Sequence, residues 1–142
     1  MNENSHSVAR QFALKFLYSC EISKVFYFSQ GQFENFRKYF ELPLNSHSKA
    51  LELSKGTLDK IQEIDSKLSE ISPKWSVDRM SSIDRAILRI ACFEILEKKT
   101  PPRVVINEAI ELAKKYGMEN SSDVNCQKAM TNPIQNIYIN KL

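Results

Sequence analysis

The stretch from Ser81 to Gly117 carries two strong helical patterns on either side of a double proline. The first pattern is apolar around most of a helix, which is typical of a buried central helix. Its apolar members are Ile83, Ala86, Ile87, Ile90, Ala91, Phe93, Ile95 and Leu96. Ser81 and Asp84 have the spacing of a capping box. Pro101 and Pro102 predict the end of this helix, because proline has no amide hydrogen to donate.

A second amphipathic helix is predicted after the prolines. Its apolar residues recur at helical spacing, at Val105, Ile106, Ala109, Ile110, Ala113 and Tyr116. Glu111 can pair with Lys115 one turn later, and Gly117 is predicted to stop the helix. We expect Lys98 and Lys99 in the last turn of the preceding helix, where positive charge suits the helix dipole. The sequence therefore predicts a helical hairpin joined at the prolines.

The N-terminal part of the chain predicts a long helix over residues 5–22. Its apolar residues keep the i, i+3/i+4 spacing, at Val8, Phe12, Ala13, Phe16, Leu17 and Cys20. Arg10, Gln11 and Lys15 are expected on its outer face. The apolar run at 25–28 is compatible both with an extension of this helix and with a buried loop.

Helical patterns continue through the middle of the chain. Three phenylalanines mark one face of a short helix that should end before Pro43: Phe33, Phe36 and Phe40. Ser48 is a suitable N-cap for a longer helix. Gly56 within that helix has a low helix propensity, which makes an unbroken helix less favourable. That helix would carry Leu51, Leu58, Ile61, Ile64 and Leu68. No convincing strand pattern is present, so the sequence predicts an all-α fold, either an antiparallel bundle or two small bundles that share a core.

Length and composition limit the classes of protein to which this chain can belong. Its 142 residues suit one compact domain, and 42% hydrophobic with 26% charged residues is typical of a soluble globular protein. No apolar run approaches the roughly 20 residues of a membrane span, so we expect a cytoplasmic protein without a membrane partner. A net charge of +3 permits nucleic-acid binding without requiring it.

Few residues in the sequence could carry catalytic or metal chemistry. The cysteines and histidines are scattered, at Cys20, Cys92, Cys126, His6 and His47. We therefore expect no metal site and no cofactor, and Cys92 is interpreted as a small core residue. Asn107, Glu108 and Glu111 lie close together in sequence, but no histidine or third carboxylate accompanies them, which favours structural pairing over catalysis. The chain is not expected to be an enzyme.

Two strings of this sequence resemble the NusB family of transcription antitermination factors. They are IDRAILRIACFEIL at 83–96 and PPRVVINEAIELAKKYG at 101–117. ARQFALKFLYS at 9–19 is similar to that family's opening helix, and WSVDRM at 75–80 fits its tryptophan segment. The resemblance implies an all-α fold of about six or seven helices in two small packed subdomains. It implies a NusB-like RNA-binding domain over 1–125, followed by a divergent segment at 126–142.

The resemblance also implies a function in transcription. Members of the family bind the boxA element of ribosomal RNA leaders as a heterodimer with NusE, a small-subunit ribosomal protein, within the antitermination complex of RNA polymerase. The same fold forms the N-terminal domain of a ribosomal RNA cytosine methyltransferase, but this chain is too short for that enzyme's cofactor-binding domain. The alternative is a helical protein-interaction module that keeps the partner face and has lost RNA recognition. A homodimer is also left open.

The resemblance assigns roles to particular residues. The expected RNA-binding residues are Arg10, Lys15, Arg103, Asn120 and Ser121. Arg10 matches a family arginine and Arg103 a basic position after the prolines, where cations would meet phosphates. Tyr18 and Asp84 match family positions that face the protein partner. The alternatives are that both arginines are solvated surface charges, that Tyr18 is a core tyrosine, and that Asp84 serves as a helix cap.

The last part of the chain departs from the family pattern. The family's K-F-V-N-G-V-L-D-K type of segment is replaced by SSDVNCQKAMTNP at 121–133, so an aromatic residue that would stack on RNA bases has no counterpart there. The run NENSHSVAR at 2–10 also holds a single arginine where several are usual. Genuine divergence and a frameshift near the end of the gene both explain the tail, and both put the affinity for RNA in question.

Overall fold

A computed structural model of the chain describes residues 4–71 and 80–116. These residues form six α-helices and a short 3-10 helix at 44–46, and they contain no strand. The helices are α1 (Ser5–Ser23), α2 (Gln30–Tyr39), α3 (His47–Asp59), α4 (Ile61–Ile71), α5 (Ser82–Glu97) and α6 (Pro102–Tyr116). The chain divides into two compact units, Met1–Ile61 and Gln62–Leu142. The all-α prediction is confirmed.

Helix α1 supplies much of the core of the first unit and packs against α3. Its start is capped by Asn4, whose side-chain oxygen accepts a hydrogen bond from the His6 amide at 2.7 Å. It ends at Lys24, which adopts the left-handed conformation with φ of 60°. The buried apolar residues are Ala9, Phe12, Ala13, Leu14, Phe16, Leu17 and Cys20. The predicted helix over 5–22 is thus correct to within one residue.

Arg10 is a buried residue of α1, with only 3% of its surface exposed. The prediction that it lies on the outer face is therefore wrong. Arg10 shares a helix face with Leu14 and Leu17, four and seven residues further on, and both leucines are buried. Glu21 continues the same row and is also buried, at 5% exposure. Both charged side chains interact within the protein, as buried charges must.

Phenylalanine rings from α1, the following loop and α2 form one aromatic cluster in the first unit. The Phe16 ring centroid lies 5.8 Å from that of Phe33 and 5.4 Å from that of Phe36, both edge to face. Phe28 approaches Phe16 at 6.2 Å. Phe28 belongs to a loop at 25–28, so the structure excludes a helix extension. The loop is not buried as predicted, because Tyr27 is 70% exposed and the other three residues are half-buried. The predicted phenylalanine face of α2 is confirmed.

Helix α3 follows directly from the 3-10 turn and does not begin at the predicted cap. The prediction that Ser48 is the N-cap is wrong, because Ser46 precedes the helix. The Ser46 hydroxyl does not cap α3 but donates to the carbonyl oxygen of Ser5 at 2.9 Å, tying this turn to the start of α1. The long helix predicted here is divided into two. The break is not at Gly56, which lies inside α3, but at Lys60, after which α4 begins.

The helical hairpin predicted around the double proline is present in the second unit. The Ser81 hydroxyl accepts a hydrogen bond from the Asp84 amide at 3.2 Å, which confirms the predicted cap of α5. Lys98 adopts the left-handed conformation with φ of 60° and ends α5 before the prolines. The prediction that Lys98 and Lys99 lie in the last turn is therefore wrong. Pro102 is the first residue of α6, where its missing amide hydrogen costs nothing.

Helices α5 and α6 pack against each other. Three of the predicted apolar positions of α6 are buried, whereas Ile106, Ile110 and Tyr116 are half-buried. On α6 the buried residues are Val105, Ala109, Leu112 and Ala113. Cys92 on α5 is completely buried, which confirms its interpretation as a core residue. Burial, reinforced by the nearby carboxylates of Glu63 and Asp65, raises the pKa of the Cys92 thiol to about 12. Gly117, the predicted stop of α6, lies outside the described residues.

Candidate nucleic-acid and partner interface

One row of α1 side chains is partly or fully accessible to solvent and runs along the helix beside its buried face. The row contains Ser7, Gln11, Lys15, Tyr18 and Ile22, which follow each other at intervals of three or four residues. Lys15 is half-buried, Tyr18 is 38% exposed and Ile22 is 64% exposed. Two of the residues that the sequence assigned to RNA and to the protein partner, Lys15 and Tyr18, thus lie one turn apart on the same accessible row.

Lys15 is positioned by an aromatic ring from the end of α2. Its Nζ lies 5.0 Å from the centroid of the Phe40 ring, within the range of a cation–π interaction. A lysine stem that packs on a ring in this way covers apolar surface. A cation held in this way can meet a phosphate without losing much conformational freedom on binding.

Tyr18 is not a core residue, which removes that alternative for it. With 38% of its surface exposed it is partly packed and partly open, and Ile22 extends an apolar surface from it by one turn. Large side chains that are half buried at a surface are frequent anchors of protein interfaces. The contact of Tyr18 with a protein partner stays a prediction.

The predicted arginines differ in accessibility. Arg103 is exposed in the first turn of α6, just after the double proline, so its guanidinium is available to a phosphate. Arg10 is buried and lies outside the accessible row of α1. Its predicted contact with RNA would require the guanidinium to leave the core. Asn120 and Ser121, also predicted to bind RNA, lie outside the described residues.

Asp84 occupies the first turn of α5 and is half-buried. Its amide donates to Ser81, whereas its Oδ1 is buried and has no hydrogen-bond partner within the described part of the chain. Burial raises the pKa of this carboxyl above its ordinary value, and a hydrogen bond with Ser81 opposes that shift. The predicted role of Asp84 in partner binding is not tested by this geometry.

No cluster suited to a metal ion occurs within 4–71 and 80–116. Glu111, one of the carboxylates considered for catalysis, lies 3.6 Å from Lys114 in an exposed ion pair. No helix of the described ranges is long and apolar enough to cross a membrane.

Sequence reasoning missed the aromatic pair that ends α2. Tyr39 is 80% exposed and Phe40 is 40% exposed. Phe40 was assigned to the phenylalanine face of α2, and it lies at the C-cap, where the helix ends. Tyr39 lies off the face shared by Phe33 and Phe36, and this off-face position was the signal that could have identified it.

The comparisons with known proteins decide the family. The sequence pattern that defines the NusB family matches residues 7–125. The chain belongs to the NusB family. It is 41% identical over 118 residues to the transcription antitermination protein NusB of Desulfitobacterium hafniense, covering 82% of this chain and 80% of that protein. It is 38% identical over 123 residues to NusB of Thermodesulfovibrio yellowstonii, covering 80% and 82%.

Solved NusB structures share the fold. NusB of T. maritima superposes with a TM-score of 0.76 at 28% identity, covering 96% of this chain and 92% of that one. The solution structure of NusB from Aquifex aeolicus gives a TM-score of 0.75 at 25% identity, covering 96% and 89%. A chain in the crystal structure of a plectonemic RNA supercoil, at 23% identity, shares the fold with a TM-score of 0.81. The NusB family comprises non-enzymatic transcription antitermination factors, in agreement with the prediction that this chain is not an enzyme.

Proposed function

We propose that this chain is an RNA-binding antitermination adaptor that recognises boxA-type RNA of ribosomal RNA leaders together with NusE. The observation that carries the proposal is the accessible row of α1, on which Lys15 and Tyr18 lie one turn apart. A basic group beside an exposed aromatic side chain suits a surface that meets RNA and protein in one complex. The membership in the NusB family supports the same function.

The proposed roles divide the residues between two partners. Lys15 and Arg103 contact phosphates, since both cations are accessible. Tyr18, extended by Ile22, contacts the ribosomal protein from the first unit. Asp84 is a separate proposed partner contact, which belongs to the second unit. Asn120 and Ser121 are retained as proposed RNA contacts. The protein would act in the cytoplasm within the antitermination complex of RNA polymerase.

The experiment is an anisotropy titration of a labelled boxA-type RNA with the full chain, alone and with NusE. We expect binding that NusE strengthens and that rising salt weakens, because phosphate contacts release counterions. Tyr18→Ala should weaken the binding of NusE measured by calorimetry. The matched control is Tyr27→Ala, which removes another exposed tyrosine of the first unit. Absence of RNA binding even with NusE present would refute the proposal.

A second function is favoured by the burial of Arg10. If the arginine that the family resemblance assigned to RNA is held in the core, the chain could keep its partner surface and lack RNA recognition. Such a protein-interaction module would bind NusE with the same affinity whether or not RNA is present. The titration therefore separates the two functions. A separate light-scattering measurement of the molar mass of the chain alone reports whether it forms a homodimer.

A further inference from the structure

An aromatic pair ends α2 beside the accessible row of α1. Tyr39 is the last residue of the helix and Phe40 follows as its C-cap. Their ring centroids lie 5.0 Å apart at an interplanar angle of 89°. Tyr39 is 80% exposed, so most of its ring is open to solvent.

The Phe40 ring packs against two other phenylalanine rings. Its ring contacts Phe36 at 5.7 Å and Phe12 at 6.4 Å, so it belongs to the aromatic cluster of the first unit while 40% of its surface remains open. Tyr39 rests with its ring perpendicular to this fixed base. A preorganised ring loses little freedom when a ligand stacks on it, which favours binding.

Three basic residues lie close to this pair in space or in sequence. Lys15 Nζ lies 5.0 Å from the Phe40 centroid, and Arg37 and Lys38 lie in the last turn of α2. Acidic residues are also near, since Arg37 pairs with Glu34 and Glu41 follows Phe40. Lys15 lies over the Phe40 ring, and Lys38 immediately precedes Tyr39 in sequence. Single-stranded nucleic acid is bound by this combination, with bases stacking on rings and phosphates meeting cations.

We propose that Tyr39 and Phe40, with Lys15, form a stacking platform for a base of single-stranded RNA. This inference rests on the proposed RNA-binding function and adds to it a contact that lies in the first unit. A base stacks on the Tyr39 ring, and Lys15 receives the adjoining phosphate. The platform supplies the aromatic stacking group that has no counterpart in the 121–133 segment.

The same unit contains a natural control site. Tyr27 is 70% exposed, and the neighbouring Phe28 ring has Lys55 Nζ at 6.0 Å from its centroid. Lys55, however, is paired with Asp59 at 2.6 Å, so its charge is already compensated. Tyr27 lies in the loop at 25–28 and not at the end of α2, and this arrangement is not expected to bind RNA.

The test uses the full chain with NusE and a fluorescein-labelled boxA-type RNA, followed by anisotropy. Tyr39→Ala should raise the Kd for RNA on the order of tenfold, the usual effect of removing one stacked base. Tyr39→Phe should bind RNA about as tightly as the wild type, because it keeps the aromatic ring. Tyr27→Ala should change the Kd less than about twofold. Equal thermal melting of all variants by circular dichroism shows that the effect is not a loss of fold.

Three results would overturn the inference. If the wild type binds RNA and Tyr39→Ala matches Tyr27→Ala, the platform is refuted while the RNA-binding function stands. If Tyr39→Ala weakens the affinity for NusE measured without RNA, the surface is a protein contact instead. If the wild type does not bind RNA with or without NusE, the proposed function fails first and the platform fails with it.

Discussion

Arg89 and Asp65 form a two-point ion pair that joins α5 to α4. The Arg89 Nε donates to Oδ1 of Asp65 at 2.8 Å, and Nη2 donates to Oδ2 at 2.8 Å. Arg89 is buried, whereas the Asp65 side chain is 32% exposed. The planar guanidinium fits both carboxylate oxygens, so this pair fixes the register of the two helices in the second unit.

Replacing Asp65 by alanine should destabilise the protein by about 2 kcal/mol, because it removes two charge-assisted hydrogen bonds from a buried guanidinium. Urea denaturation followed by circular dichroism measures the free energy of unfolding. The control is Asp59→Ala, which breaks the exposed pair with Lys55 and should cost less than about 0.5 kcal/mol. Equal losses for the two variants would show that the pair does not stabilise α4 against α5.

The cap of α5 gives a second prediction. Ser81→Ala removes the oxygen that accepts the Asp84 amide hydrogen bond, and it should lower the free energy of unfolding by about 1 kcal/mol. Ser81→Asn keeps an accepting oxygen at the same position and should retain most of the stability. A Ser81→Ala protein as stable as the wild type in urea would contradict this role.

The Asp84 carboxyl predicts a pH dependence of stability. Because burial raises its pKa in the folded protein above the ordinary 3.8, the folded state holds this proton more tightly than the unfolded state. Stability contributed by this group is present below pH 3.8 and is lost as the pH rises through the raised pKa. The variant Asp84→Asn has no carboxyl at this position, so its stability does not fall in this way as the pH rises.

The measurement for Asp84 is the free energy of unfolding of both proteins across this pH range. The free energy of unfolding of Asp84→Asn should rise relative to that of the wild type as the pH rises from below 3.8 towards neutrality. The difference between the two proteins should then become constant. A difference that stays constant, or that moves in favour of the wild type, would mean that the folded protein does not raise this pKa.

The buried thiols give a fourth prediction. Burial raises the pKa of Cys20 and, to about 12, that of Cys92, so neither forms a thiolate readily. In a Cys126→Ser variant, we expect both thiols of the native protein to react slowly with a disulfide reagent at mildly alkaline pH. Both should react rapidly in concentrated urea. Fast labelling of either thiol in the native protein would contradict its burial.

The sequence predicted the hairpin around the double proline because its signals are local. A hydroxyl at Ser81, apolar spacing through α5 and α6, and two prolines each act on the backbone within a turn or two. The error at Lys98 arose because left-handed termination ended the helix before the prolines required it. Local patterns thus predicted which elements form better than where they end.

The candidate site was less predictable because accessibility depends on packing between helices. A charged residue is placed at the surface by default, yet Arg10 shares its face with buried leucines and is itself buried. Lys15 and Tyr18 were assigned through family resemblance, and their common accessible row emerged from the packing of α1. Tyr39 was missed because its exposure depends on where α2 stops over the aromatic cluster.

The salt dependence of RNA binding tests the central claim most directly. The slope of log K against log salt for a boxA-type RNA with NusE should be negative, and Lys15→Gln should reduce its magnitude by about 0.7, as expected for one lost phosphate contact to a single strand. Lys55→Gln, at the ion-paired lysine, should leave the slope unchanged. Equal slopes for the wild type and both variants would contradict the assignment of the α1 row to RNA.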